Sequence, residues 1–173
     1  MTRARDQIIS LSDTPYYHCM ASCVRREFLF GEGSVTGESF NHRKAWVVDK
    51  LANLSEVFAI DVCAYAVMSN HYHVVLRVDV DGCDALSVDE VLHRWTSLFS
   101  GNPLVARYLA GGAQSEAEIE RVSEFADLWR DRLKDISWFM RVLNESIARM
   151  ANEEDQCSGR FWEGRFRESS SLG

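Results

Sequence analysis

Hydrophobic and polar positions sort most clearly between residues 60 and 78. Residues 60–68, Ile-Asp-Val-Cys-Ala-Tyr-Ala-Val-Met, are apolar and rich in strand formers, as are residues 71–78, His-Tyr-His-Val-Val-Leu-Arg-Val. Ser69-Asn70 is all that separates them, which predicts an antiparallel pair joined by a tight connection. Cys63 and Tyr65 are then expected in the core. Residues 15–23 predict an earlier strand, with Tyr17, Cys19 and Ala21 on one side and His18, Met20 and Ser22 on the other. Glycines 31, 33 and 37 mark a loop. Residues 41–58 carry Val47, Leu51, Leu54 and Phe58 at helical spacing.

The second half reads as helices. Ser87-Val88-Asp89-Glu90 has a capping-box pattern and is followed by Val91, Trp95, Leu98 and Phe99. Gly101-Asn102-Pro103 is a break. A second box, Ser115 to Glu118, opens a helix expected to turn Ile119, Val122, Phe125, Trp129 and Leu133 inward. Residues 136–151 continue with Phe139, Leu143, Ile147 and Met150 at helical spacing. Residues 169–173 carry no periodic signal and are expected to fray.

A chain of 173 residues, 46% hydrophobic, suffices for one domain, 1–173, with a proper core. No apolar run approaches the roughly 20 residues that cross a bilayer. The basic start, Met1 to Gln7, lacks the apolar stretch of a signal peptide. A cytoplasmic protein with no membrane partner is expected. Five cysteines with no Cys-x-x-Cys pair argue against a disulfide framework or a zinc finger. The net charge of −7 argues against a protein that simply coats DNA. Its distribution softens that exclusion. Residues 1–78 hold 8 basic and 8 acidic side chains, 79–135 hold 6 and 12, and 136–173 hold 5 and 6. The acidity is concentrated in the middle, so a local basic face remains available to phosphates.

The chemistry centres on His71 and His73. Residues i and i+2 of a strand share a face, so the two imidazoles project side by side from Cα atoms roughly 6.5–7 Å apart. That separation lets both converge on one divalent ion. Tyr72 points the other way with Val74, Leu76 and Val78, while Arg77 shares the histidine face, placed to meet a phosphate. A bare His-x-His equally suits two polar residues on a solvated sheet face. The ligand set alone leaves zinc open. His18 is a candidate third ligand if its strand neighbours that of the histidines; a hydrogen-bonded sheet histidine is the other reading.

The run Tyr65-Ala66-Val67-Met68-Ser69-Asn70-His71-Tyr72-His73-Val74-Val75-Leu76 resembles the signature of the single-tyrosine HUH transposases, close to the REP-associated branch. Tyr17-His18 with Cys23-Val24-Arg25-Arg26 resembles that family's opening, and Gly159 to Phe166 resembles a later segment. The three matches fall in order and span residues 15 to about 168. The resemblance implies an α+β fold: a ferredoxin-like or RRM-like antiparallel sheet with the histidines on a central strand, beside a helical C-terminal half. It also implies a divalent ion, magnesium or manganese, on the histidines, where it polarises a phosphodiester of single-stranded or hairpin DNA. A tyrosine hydroxyl then attacks to give a 5′-phosphotyrosine link. Some relatives are dimers, so a homodimer is among the expected states. For DNA contact the expected residues are Arg25, Arg26 and Arg77, with Arg160, Trp162, Arg165 and Arg167 behind them. Trp162 is a candidate for stacking on an unpaired base, or for docking the tail on the core.

The sequence departs from the family at the nucleophile. Relatives carry the attacking tyrosine downstream of the Gly-Arg-Phe-Trp-Glu segment, whereas here no tyrosine follows Tyr108. A truncated transposase lacking that part is therefore expected. Three readings stay open: a transposase-like protein with a disabled covalent step, a non-catalytic DNA-binding remnant or regulator, and unrelated metal-assisted hydrolysis using Asp61 or Asp79.

Overall fold

The computed structural model of the chain describes residues 14–24 and 41–170. The glycine loop at 31–37 and Arg25 and Arg26 lie outside the described residues. Strand β1 (Tyr16–Ser22) buries Tyr17, Cys19 and Ala21 and leaves His18, Met20 and Ser22 half-exposed, the alternation a one-sided strand requires. Helix α1 (Asn41–Val57) buries Val47, Leu51, Leu54 and Val57 on one stripe. It leads into strand β2 (Ile60–Val67), and strand β3 (His71–Val78) follows after a short turn. β3 lies between β1 and β2 and runs antiparallel to both. This is the split βαβ unit of a ferredoxin-like sheet. The fold is α+β, as expected, and the histidines stand on one of the two central strands.

Helices α2 (Val80–Asp84), α3 (Val88–Leu98), α4 (Pro103–Leu109), α5 (Glu116–Leu133) and α6 (Ile136–Glu154) form the rest of the layer. Both expected capping boxes are formed: Ser87 with Glu90 and Ser115 with Glu118. Ser115→Ala is expected to cost about 0.5–2 kcal/mol in a denaturant titration, because the side chain that receives the Glu118 amide is lost. An unchanged midpoint would contradict that role. α6 buries Phe139, Met140, Leu143 and Ile147, each contributing about 1.5–3 kcal/mol of apolar burial. That exceeds any difference in helix propensity.

Several expected core positions turn out exposed. Ile119 and Met150 lie near the ends of their apolar stripes and, among the described residues, are 48% and 40% exposed. Cys63 is exposed and Tyr65 is 49% exposed. Both sit on β2, the outer strand, whose register shifts between Val62 and Ala64. An edge strand with a bulge turns residues to solvent that a central strand would bury. The expected fraying gives way at residues 169 and 170, while residues 171–173 lie outside the described residues. Strand β4 (Arg167–Ser170) pairs antiparallel with the free edge of β1 and completes the order β2-β3-β1-β4.

One buried charge ties the layer together. Arg43 of α1 is fully buried. Its Nε donates to Glu154 Oε2 at 2.7 Å, and its guanidinium also reaches Asp155 at the end of α6.

Candidate functional site

The site follows from register. His73 pairs with Met20 and His71 with Ser22, while His18 pairs with Val75. Cross-strand partners share a face, so His18, His71 and His73 all project from the side of the sheet that the helices leave open. The three rings touch. His18 Nε2 lies 2.8 Å from His73 Nδ1, the two rings stacked at 5.0 Å and 10°. The rings of His71 and His73 meet edge to face at 5.1 Å. Burial, then the charges His18 and His71 would carry, hold His73 below the usual imidazole value. It is therefore neutral and carries a lone pair at neutral pH.

Hydrogen bonds on the inner nitrogens decide where those lone pairs point. His71 Nδ1 lies 2.7 Å from Asn70 Oδ1, an oxygen that can only accept. The proton therefore sits on Nδ1, and Nε2 keeps the lone pair. If His73 Nδ1 donates to His18 Nε2, His73 likewise presents Nε2. A partner on the other ring nitrogen is the usual arrangement behind a metal-binding histidine. Among the described residues no group of three or more His, Cys, Asp and Glu side chains is arranged to hold a metal ion. The residues whose chemistry would suit a divalent ion are the imidazoles of His71 and His73. His18 meets His73 through its Nε2, the hydrogen-bonded reading of the two expected for it. Imidazole donors suit manganese or zinc better than magnesium, a hard ion that favours oxygen.

Basic side chains divide on this face. Arg167 pairs with Met20, which pairs with His73. The three residues form a row across the sheet, with Arg167 about 10 Å from His73 at two strand spacings. Met20, Ser22, Glu163, Gly164, Arg165 and Arg167 line a concavity of about 210 Å³ beside the histidines. Arg160 is exposed on the same C-terminal segment. Arg77 differs. Its guanidinium is held by Asp61 at 2.7 Å, and it lies four residues from His73, about 13 Å along the strand. That places it away from the histidines, with Asp61 as its partner.

Trp162 is 8% exposed and donates its indole N–H to the Asn144 carbonyl at 2.8 Å. Its edge packs on Tyr72 at 5.6 Å. It docks the tail on the core, one of its two expected roles, and little of its ring is exposed. Asn70, Met20, Ser22 and Glu163 went unrecognised in the sequence. Asn70 was legible as the residue before the first histidine; the others enter only through strand pairing.

None of the five tyrosines stands beside His71. Tyr17 and Tyr72 are fully buried, and burial above all raises the Tyr72 phenol well above its ordinary value. Tyr108 is on α4 and bonded to Asp89. Tyr65 pairs with Val74, whose side chain faces the core side of the sheet. Tyr16 shares the histidine face but pairs with Arg77, at the far end.

Fold and site together define an α+β protein that carries a histidine cluster on the open face of a split-βαβ sheet. No protein-family model and no curated protein matches the chain. Among solved structures, it is similar to that of a REP-associated tyrosine transposase bound to a REP hairpin, at a TM-score of 0.50 and 10% identity. The match covers 100% of this chain and 64% of that one, so this chain spans less than two thirds of the other's length. At that identity the likeness is one of fold. No described helix is long and apolar enough to cross a membrane.

Proposed function

We propose that this chain is a transposase-like DNA-binding protein that holds a divalent ion at His71 and His73 and receives single-stranded or hairpin DNA on the open sheet face. The observation that carries the reading is the histidine cluster on that face. Asn70 and His18 orient the two donor rings. Arg167, two strand spacings away, and Arg165 just before it meet the phosphates on either side. The fold it shares with a hairpin-bound transposase supports DNA as the partner. When bound, the ion would polarise phosphate oxygens, and manganese is the better match to imidazole. Of the open readings, binding without a covalent step is favoured, because no tyrosine of this chain stands beside His71. Asp61, engaged by Arg77, weakens the hydrolase reading.

Manganese is expected to raise the melting temperature, magnesium to raise it less, and the combined variant His71→Ala, His73→Ala to lose the shift. A wild-type protein indifferent to manganese would defeat the site. Single-stranded DNA should leave no protein adduct that survives denaturation; such an adduct would restore the catalytic reading.

A further inference from the structure

On the other side of the sheet, the helices border an open cleft of about 780 Å³. Its lining is unlike the rest of this acidic chain. Lys50 of α1, Arg132 of α5, and Arg141 and Arg149 of α6 border it, and Glu145 is its single carboxylate. Glu145 is taken by Arg141 at 2.9 Å. Lys50, Arg132 and Arg149 have no carboxylate partner among the described residues. Lys50 and Arg149 are close enough that, after burial, the charge of Arg149 lowers the lysine's affinity for its proton. Two unneutralised cations held together in a protein of net charge −7 favour an anion between them.

The same cleft has stacking surfaces. Phe99 lies on Trp95 at 4.2 Å and meets Trp138 edge-on at 6.0 Å. The guanidinium of Arg132 lies over Trp138 at 4.5 Å and that of Arg141 at 5.1 Å. Phe99, Arg132 and Trp138 are half-buried, so each keeps part of its surface open. Aromatic rings and guanidinium planes set among phosphate-binding cations are how proteins hold unpaired nucleotides.

We propose that this cleft binds a segment of single-stranded nucleic acid, with a phosphate between Lys50 and Arg149 and a base on the exposed part of Phe99, edge-on to Trp138. An acidic peptide would use the cations but not the rings. A duplex would keep its bases out of reach. The site is separate from the histidine face and stands whether or not that face holds metal.

The test uses the full chain and a fluorescein-labelled twelve-residue oligothymidylate at low salt. Binding is expected to quench tryptophan emission. Lys50→Glu with Arg149→Glu should weaken binding about tenfold or more and flatten the salt dependence by about 0.7 per lost phosphate contact, with little change in melting temperature. If that variant unfolds, Lys50→Gln with Arg149→Gln should show the same direction at smaller size. A twelve-residue abasic strand should bind about fivefold or more weakly than the thymidylate. Unchanged affinity in the charge variants would overturn the proposal, as would equal binding of the abasic strand. Loss of binding in His71→Ala, His73→Ala alone would overturn the cleft while sparing the histidine face.

Discussion

Arg43→Ala is expected to destabilise the protein by about 3–5 kcal/mol, the usual consequence of removing one partner from a buried ion pair. In a domain of this size that lowers the melting temperature by roughly 6–20 °C. Arg43 is fully buried, while Asp155 is 15% exposed and Glu154 38%. Without the guanidinium, Asp155 stays largely out of water with its main partner gone, and the start of α1 loses its tie to the end of α6. Arg43→Lys keeps the charge but not the fork that serves two carboxylates, so its loss should be intermediate. The interaction also has a pH signature. Burial pushes the Glu154 carboxyl upward, but hydrogen bonds from Arg43 and His42 outweigh it and leave the value below the ordinary one. A depressed carboxyl contributes stability above its unfolded value and loses it as pH falls through the folded one. The wild type should therefore lose stability more steeply with acid than Arg43→Ala. Parallel acid limbs in the two melting curves would contradict the pairing.

Trp162→Ala should have an effect of similar size, about 3–5 kcal/mol, as other buried Trp→Ala changes do. The loss is not only volume. Asn144 takes the Tyr72 hydroxyl on its side chain at 2.6 Å and the Trp162 indole on its carbonyl at 2.8 Å. One α6 residue thus joins the central strand to the tail. Val24 and Glu163 backbone amides extend the seam along β1, bonding to the Phe161 and Ser22 carbonyls. Removing the indole is expected to release residues 161–170 and speed hydrogen exchange at β1 amides facing β4. On the proposed function, Arg165 and Arg167 would leave with them, and DNA affinity would fall though neither arginine was touched. Undisturbed exchange along β1 in a destabilised variant would show that Trp162 does not hold the tail.

Reading the sequence succeeded where local pattern and tertiary role coincide. The alternation from Tyr72 to Val78 follows from a sheet with one covered face, and it placed His71 and His73 on the open one. The capping boxes at Ser87 and Ser115 are local by nature. Reading failed where neighbours decide. Arg-Glu-Ser-Ser has no apolar alternation, because β4 is held by backbone hydrogen bonds to β1 rather than by buried side chains. Cys63 and Tyr65 look like core residues until β2 proves to be an edge. The cationic cleft was invisible for a related reason: its residues come from α1, α3, α5 and α6, and no window of sequence holds more than a part of it.

The position of β4 also sets an order of events during synthesis. Tyr17 faces Ser170 across the sheet, so the strand that covers β1 is made about 150 residues after it. At translation rates of 5–20 residues per second, that gap lasts roughly 8–30 s. Throughout it a nascent chain would present one unpaired edge of β1 beside the ribosome, even after β3 has docked on the other. An open edge of this kind invites pairing with another chain, so β1 is expected to be open to mispairing until Arg167–Ser170 emerges.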